Sequence, residues 1–256
     1  MNFSNENLKT FKAELHIHTA LSPCASVEMI PPLIVDEALS KGINLIAITD
    51  HNAIANIESV MAAAAGTAIT VLPGMELQTR EEIHSICLFN SLDGITGFFD
   101  QISDTFPDIS NNADFFGEQF IVDQTGEFIR REDRLLITSS SLSLSDAYKL
   151  VDSAGGLLIP AHINRTAYGL LPVLGLVPQD ISLFCLEISK HLSPSEAVET
   201  FPILKTYKLI QNGDAHFLQD IVGFNEFLIR EPVISEIKKA LLNEGGRTHR
   251  LNSADQ

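Results

Sequence analysis

The side chains best equipped for chemistry in this chain are histidines and carboxylates that recur at short spacings. His16 and His18 form a His-x-His pair, His51 follows Asp50 in Thr-Asp-His-Asn, and Asp214 with His216 forms an Asp-x-His pair. Glu76, His84 and His162 lie singly between them. Imidazole nitrogen and carboxylate oxygen together suit zinc, manganese or iron. Eight such groups exceed what one ion uses, so the expected cofactor is two or three divalent metal ions with a bridging carboxylate. Such a cluster acidifies water, orients a phosphoryl group and neutralises charge on attacking and leaving oxygens. One histidine at a strand end is ordinary, and the His-x-His pair alone leaves structural and metal-binding readings balanced. Glu76, His162 and the Asp-x-His pair, in equivalent places, favour the metal. His191 and His249 match no pairing and read as a surface residue and a tail residue.

These groups need elements that bring them together. Short apolar runs at residues 12–19, 44–50, 68–76, 83–89, 156–162, 183–189, 208–213 and 224–230 read as strands. Amphipathic stretches at 31–41, 54–65, 146–154, 194–202 and 233–243 read as helices between them. That alternation predicts an α/β fold around a parallel sheet. In a closed barrel of this kind the carboxyl ends of the strands form one rim, where sites are built. Residues i and i+2 of a strand face one side, so each of the two pairs points together. Pairs from opposite ends of the sequence meet only if the sheet closes on itself.

Between about residues 90 and 145 the rhythm breaks. A helix at 94–104 and a hairpin, 120–123 with 128–131, are expected there. The stretch is long for a barrel connection, which predicts a lid or a wall of the site. The serines within 139–145 read as a loop ending in a helix cap. The chain is therefore expected to be one domain, residues 1–256, with an insertion at about 90–145.

Acidic residues number 33 against 17 basic ones, a formal charge of −16. Such a surface disfavours membranes and polyanions at long range. Bound divalent ions reverse the field locally, so a small phosphorylated substrate stays acceptable. No basic, aromatic-studded stripe suggests an extended nucleic-acid groove. Cys24, Cys87 and Cys185 are odd in number and widely spaced, which does not suggest a disulfide framework. The polar N-terminus and the lack of a long apolar run point to a cytoplasmic location. Nothing in the sequence distinguishes monomer from dimer.

The motifs HIHT, ITDHN, GMEL, IHSICLF, PAHINR and GDAH, in this order between residues 14 and 223, resemble the PHP (polymerase and histidinol phosphatase) superfamily. LSPCAS with EMIPP resembles a less-characterised subgroup of it. The resemblance implies a distorted (β/α)7 TIM-like barrel and a metal-dependent phosphoesterase. It implies that His16 and His18 hold one ion with Glu76 and Asp214. Glu76 would bridge to a second ion held by His84 and His162, and His51 with His216 would hold a third. A metal-bound hydroxide held by Glu76, His84 and His162 would attack a small phosphate ester: a phosphomonoester, nucleotide or short oligonucleotide. Arg165 resembles an arginine of related phosphoesterases that grips phosphate, against the alternative of a surface ion pair. Asp50 would orient an imidazole rather than bind an ion. Cys24, eight residues after His16, stands where some members have a histidine. It would be a soft ligand favouring zinc or iron, or a thiol that merely lines the site. Two other readings stay open: an amidohydrolase-type C–N hydrolase on a similar rim, and a non-catalytic metal site with a regulatory or binding role.

Overall fold

The computed structural model describes residues 7–252. The first half alternates as the pattern predicts: β1 (Lys9–Ile17), α1 (Pro31–Ser40), β2 (Leu45–Ile48), α2 (Ile57–Ala64), β3 (Thr70–Gln78) and β4 (His84–Leu88). Then come α3 (Leu92–Ile102), α4 (Ala113–Phe116), β5 (Phe120–Val122), β6 (Phe128–Arg131), α5 (Leu144–Ser153), β7 (Leu157–Pro160) and α6 (Leu170–Leu174). The chain continues through β8 (Leu186–Ile188), α7 (Pro194–Thr200), β9 (Leu209–Gln211), β10 (Asn225–Ile229), α8 (Ile234–Leu242) and β11 (Thr248–Leu251). Local chemistry sets several boundaries. Proline occupies the first turn of α1, where its missing N–H costs nothing. Ser193 and Glu196 form a capping box on α7. Ser143 caps α5 by accepting from Asp146 N, as expected for the serine cluster.

The main sheet has the order β11-β10-β1-β2-β3-β4-β7. β1, β2 and β3 are parallel, whereas β4 is antiparallel to both β3 and β7. The sheet is thus mixed, where the alternation predicted a parallel one. The physical reason is the short link from Gln78 to His84, which turns the chain straight back along β3 as a hairpin. The sheet curls, and the parallel pair β8–β9 lies between β7 and β1. Ile163 N donates to Glu187 O on one side. On the other, Leu15 N donates to Asn212 Oδ1 and Ile17 bridges Ala215. The result is a distorted TIM-like barrel.

Two apolar layers hold it. Leu15, Leu45, Leu72, Ile86, Leu157, Ile159 and Ile210 share one buried cluster with Ile234, Ile237, Ala240 and Leu241 of α8. α8 plugs the barrel at the end away from the histidines, with Asn90 Oδ1 accepting from Ile234 N. Ile46, Ile48, Met75 and Leu77 face the other way, against the helices. Residues 247–252, which include His249, read from the sequence as a tail residue, pack against the sheet. β11 pairs with β10, Arg247 is buried against Glu236, and His249 packs on Phe227 with ring centroids 4.6 Å apart. A half-buried edge strand simply carries few apolar residues. Residues 253–256 lie outside the described part.

Candidate metal centre

The histidines reach one rim by several local devices. Between Glu14 and Ile17, β1 carries one residue more than the facing stretch of β2. This bulge shifts the phase of the strand, a common way to re-aim side chains. Ala13 and Leu15 therefore pack in the barrel interior, while His16 and His18, both fully buried, point into the site above them. His84 arrives because β4 runs antiparallel, so its first residue lies at the rim beside Gln78, the last residue of β3. The strand-end rule for parallel barrels does not place it. Asp214 and His216 lie beyond β9 on irregular backbone, with Asp214 at φ +48°, rather than on an alternating strand. Ala215 is gripped by β1 instead: its N–H donates to His16 O and its carbonyl accepts from His18 N. His162 also has a positive φ, +28°, as do Asn52 and Tyr168. Such conformations are costly for residues other than glycine, and they cluster where function constrains the backbone.

Glu76 sits at the middle, without solvent exposure. Its Oε1 lies 3.2 Å from His16 Nε2, 3.1 Å from His84 Nδ1 and 3.1 Å from His162 Nε2. Its Oε2 lies 2.8 Å from His51 Nδ1 and 3.4 Å from His18 Nε2. Asp214 Oδ1 is 3.4 Å from the Nε2 atoms of both His16 and His18, and 3.4 Å from His216 Nδ1. Cys24 Sγ is 3.1 Å from His216 Nε2, at the exposed edge. Within the described residues three sets have ligand atoms within 4.8 Å of one another: His18/His51/His216, His16/His18/Asp214 and His51/Glu76/His84.

A layer beneath orients these groups. The Glu187 carboxylate accepts from His16 Nδ1 at 3.1 Å, from His162 N at 2.7 Å and from Asn212 Nδ2 at 2.7 Å. The Asp50 carboxylate accepts from Thr19 N, Thr19 Oγ1 and Ser22 Oγ. Because the Ser22 hydroxyl hydrogen goes to Asp50, Ser22 Oγ can only accept from His18 Nδ1, 2.9 Å away. His18 is thereby held as the tautomer with a bare Nε2. Asp50 thus acts on His18 through Ser22, and not on its sequence neighbour His51. The histidine and carboxylate spacings in the sequence point to neither Glu187 nor Ser22. The signal for Glu187 was a lone charge inside the apolar run LFCLEIS.

The outcome is a set of buried polar atoms without hydrogen-bond partners: His16 Nε2, His18 Nε2, Glu76 Oε2 and His162 Nδ1. Buried polar atoms are almost always satisfied, so several exceptions gathered around one carboxylate call for an explanation. The Nε2 atoms of His16 and His18 converge with the Glu76 carboxylate on one volume, a donor set that fits divalent cations. His162 faces Glu76 with Nε2, and its unpartnered Nδ1 points elsewhere.

The charges are strongly coupled. Burial disfavours charge on His16, but Glu187, Glu76 and Asp214 outweigh it and hold its pKa well above the usual imidazole value. Burial, together with His216 and His51, drives His18 well below it. Burial likewise takes His84 down to about 4. Burial opposes ionisation of Glu76, yet His84, His16 and His51 keep it well below the ordinary carboxylate range. At Cys24 burial against the rim is outweighed by hydrogen bonds with His216 and His51, which bring the thiol to about 6.

Above the cluster opens a cavity of about 230 Å³ bounded by Cys24, His51, His84, His162 and His216 together with Gln78, Ile137, Arg165 and Tyr168. Arg165 Nη1 is 2.5 Å from Asp214 Oδ2 and the side chain is partly exposed. Ile137 comes from the 90–145 segment, which is tied to the rim by Asn52: its Nδ2 donates to Leu136 O and Thr138 O. Asn164 instead pairs with Ser189 through both ends of its amide.

Residues 14–154, more than half of the chain, match the model of the PHP domain. The chain belongs to the PHP family. Membership, with a histidine–carboxylate cluster able to bind metal, indicates a metal-dependent hydrolase. Among curated proteins no relative matches. Solved structures with the same fold include the lesion-specific endonuclease EndoQ of Pyrococcus furiosus, 18% identical with a TM-score of 0.72, where 94% of this chain covers 58% of the endonuclease. The chain thus spans little more than half of that protein. A protein of Bifidobacterium adolescentis described as a candidate metal-dependent phosphoesterase is 18% identical over 80% of this chain and 87% of its own, with a TM-score of 0.54. An amidohydrolase of Chromobacterium violaceum, solved with bound sulfate and no metal, is 19% identical over 82% and 89%, with a TM-score of 0.54. At these identities the likeness is one of PHP-type fold. Among the described residues no helix is long and apolar enough to cross a membrane.

Proposed function

We propose that this PHP protein is a metal-dependent phosphoesterase acting on a small phosphate ester. The observation that carries the reading is Glu76, one buried carboxylate within 3.4 Å of five imidazoles, beneath a cavity that also holds Arg165. In this reading His16, His18, Asp214 and Glu76 would hold one ion, Glu76 with His84 and His162 a second, and His51 with His216 a third. Cys24 joins His51 and His216. Two or three ions of zinc, manganese or iron suit this donor set. Bound there, they supply Lewis acidity to the phosphoryl oxygens. Glu187 and the Asp50–Ser22 relay hold His16 and His18 with Nε2 free for that task. Arg165 grips two phosphate oxygens, exchanging its carboxylate partner for the substrate. The 90–145 segment forms one wall of the site, and residues 1–256 act as a single unit with it.

A second reading concerns the substrate. The likeness to EndoQ, which has also been solved with a 27-mer duplex carrying an abasic lesion at its active site, favours a nucleotide within a strand. The net charge of −16 favours a small ester instead.

Both are tested on one panel, by phosphate release from phosphomonoesters and nucleotides and by strand cleavage of short oligonucleotides and an abasic duplex, with metal content measured on the same sample. Release that disappears in Glu76→Gln supports the phosphoesterase. Tight metal binding with no cleavage of any member turns the assignment toward C–N hydrolysis or a binding role.

A further inference from the structure

Tyr168 has a conformation that a tyrosine rarely adopts. Its φ is +62°, in the left-handed region where a bulky side chain is strained and glycine is the ordinary occupant. The next residue is a glycine, and it is needed: a Cβ on Gly169 would lie 2.2 Å from Arg165 O. The turn is therefore tight from Arg165 to Gly169, and it brings Arg165 and Tyr168 onto the same cavity. Tyr168 O accepts from His84 N at 3.1 Å, which ties the strained residue to the first residue of β4. Its ring stacks on His84 with centroids 4.4 Å apart and planes 9° from parallel, yet the side chain stays 40% exposed. Strain maintained at the mouth of a site points to a use for the ring, since glycine or asparagine would make the turn at lower cost.

The size of the cavity says what that use is. At about 230 Å³ it is smaller than the roughly 300 Å³ or more of ordinary ligand sites. It takes the phosphoryl group and the start of the leaving group, and the remainder must lie against the mouth. There Tyr168 stands with Ile137 of the 90–145 segment, and both line the same opening. A flat aromatic ring and a branched aliphatic side chain lining one opening suit a planar group better than a hydrated sugar.

We propose that Tyr168 is a specificity-determining residue that selects phosphate esters bearing a planar ring, such as a nucleobase, by stacking the ring at the mouth of the cavity. This rests on the reading of the cavity as a phosphoester site. The selected ring lies outside the reacting atoms; it is the base of a free mononucleotide or of a nucleotide in a strand.

The test separates base recognition from both phosphate grip and turnover. Metal-loaded wild type, Tyr168→Phe and Tyr168→Ala are titrated calorimetrically with non-hydrolysable phosphonate analogues of AMP and of ribose 5-phosphate, which differ only in the base. The ratio of the two dissociation constants is the readout. A ratio of about ten in wild type, kept in Tyr168→Phe and falling to near one in Tyr168→Ala, is the expected result for one stacked base. A ratio near one in wild type overturns the proposal. So does a ratio unchanged in Tyr168→Ala, and an equal loss for both ligands marks Tyr168 as a support for His84 only. A phosphorothioate trinucleotide in the same titrations distinguishes the sources: tighter binding than the mononucleotide, still dependent on Tyr168, assigns the base to a strand. If the ratio behaves as expected while no ester is hydrolysed, the phosphoesterase reading fails and base recognition stands.

Discussion

Two buried carboxylates in this molecule are surrounded by cations, or by groups that can become cations, and they are arranged in opposite ways. Glu236, on α8 at the plugged end of the barrel, accepts from Arg247 Nε at 2.9 Å, Arg247 Nη2 at 3.1 Å, Lys239 Nζ at 3.1 Å and Arg230 N at 3.0 Å. All of those donors are supplied by the C-terminal part of the chain, residues 230–247. Glu76, at the open end, is ringed by imidazoles from β1, the loop after β2, β4 and the loop after β7, and one of its oxygens has no hydrogen-bond partner. A buried charge whose valences are met by the protein is a structural clamp. One whose neighbours leave donors and acceptors unmet is prepared for something from outside.

The comparison is broken most sharply at Glu76. Glu76→Gln removes the central charge of the histidine cluster, and loss of activity on the order of a thousandfold is expected, the scale of removing a central electrostatic group. Added metal should no longer raise its melting temperature, because that shift depends on binding to the folded state. A variant that binds metal and turns over normally would make Glu76 another Glu236.

Glu236→Gln should do the reverse. Breaking a buried ion pair costs about 3 kcal/mol, read by chemical denaturation, while the folded variant keeps wild-type kcat and KM. Its pH dependence follows from the Arg247 guanidinium, whose hydrogen bonds hold Glu236 down at about 2 despite the opposing effect of burial. A depressed carboxylate stabilises the fold fully above its unfolded pKa of about 4.3 and loses that contribution as pH falls through its folded value. Wild type should therefore lose stability between about pH 4.3 and 2, and Glu236→Gln should lose less over that window.

Glu187→Gln sharpens the rim side, since it keeps the size but weakens the hold on His16. A fall in metal affinity of about 10- to 100-fold is expected by competition with a chelator. Cys24→Ser should have the smallest effect. About tenfold weaker binding of zinc with unchanged manganese affinity is the expected sign of a lost soft donor. In cobalt-loaded protein the sulfur charge-transfer band should vanish with the thiol. Equal affinities for both metals would reduce Cys24 to a lining residue.

How far the sequence reached differs along the chain. The alternation of elements was legible from amphipathic helices such as α1 with Pro31 and from short continuous apolar runs such as β2, Leu45–Ile48, which is buried on both faces. The hairpin Phe120–Val122 with Phe128–Arg131 was legible from its turn residues. Arg247 and His249 misled, because a polar residue reads as exposed unless its partner is known. Glu236 is that partner for Arg247, and no spacing rule predicts it.

Composition and motif order by themselves determined that histidines and carboxylates of one chain serve one centre, since two pairs near opposite ends of the sequence make sense only on a sheet that closes. Side-chain type is chemistry, and it is written residue by residue. Only the tertiary structure decided which atoms face each other: the bulge in β1 that turns His16 and His18 inward, the reversal of β4 that delivers His84, and the Asp50–Ser22 relay that fixes the tautomer of His18. Each depends on register, strand direction or hydrogen-bond valence between segments distant in sequence, and those are settled only when the chain packs against itself.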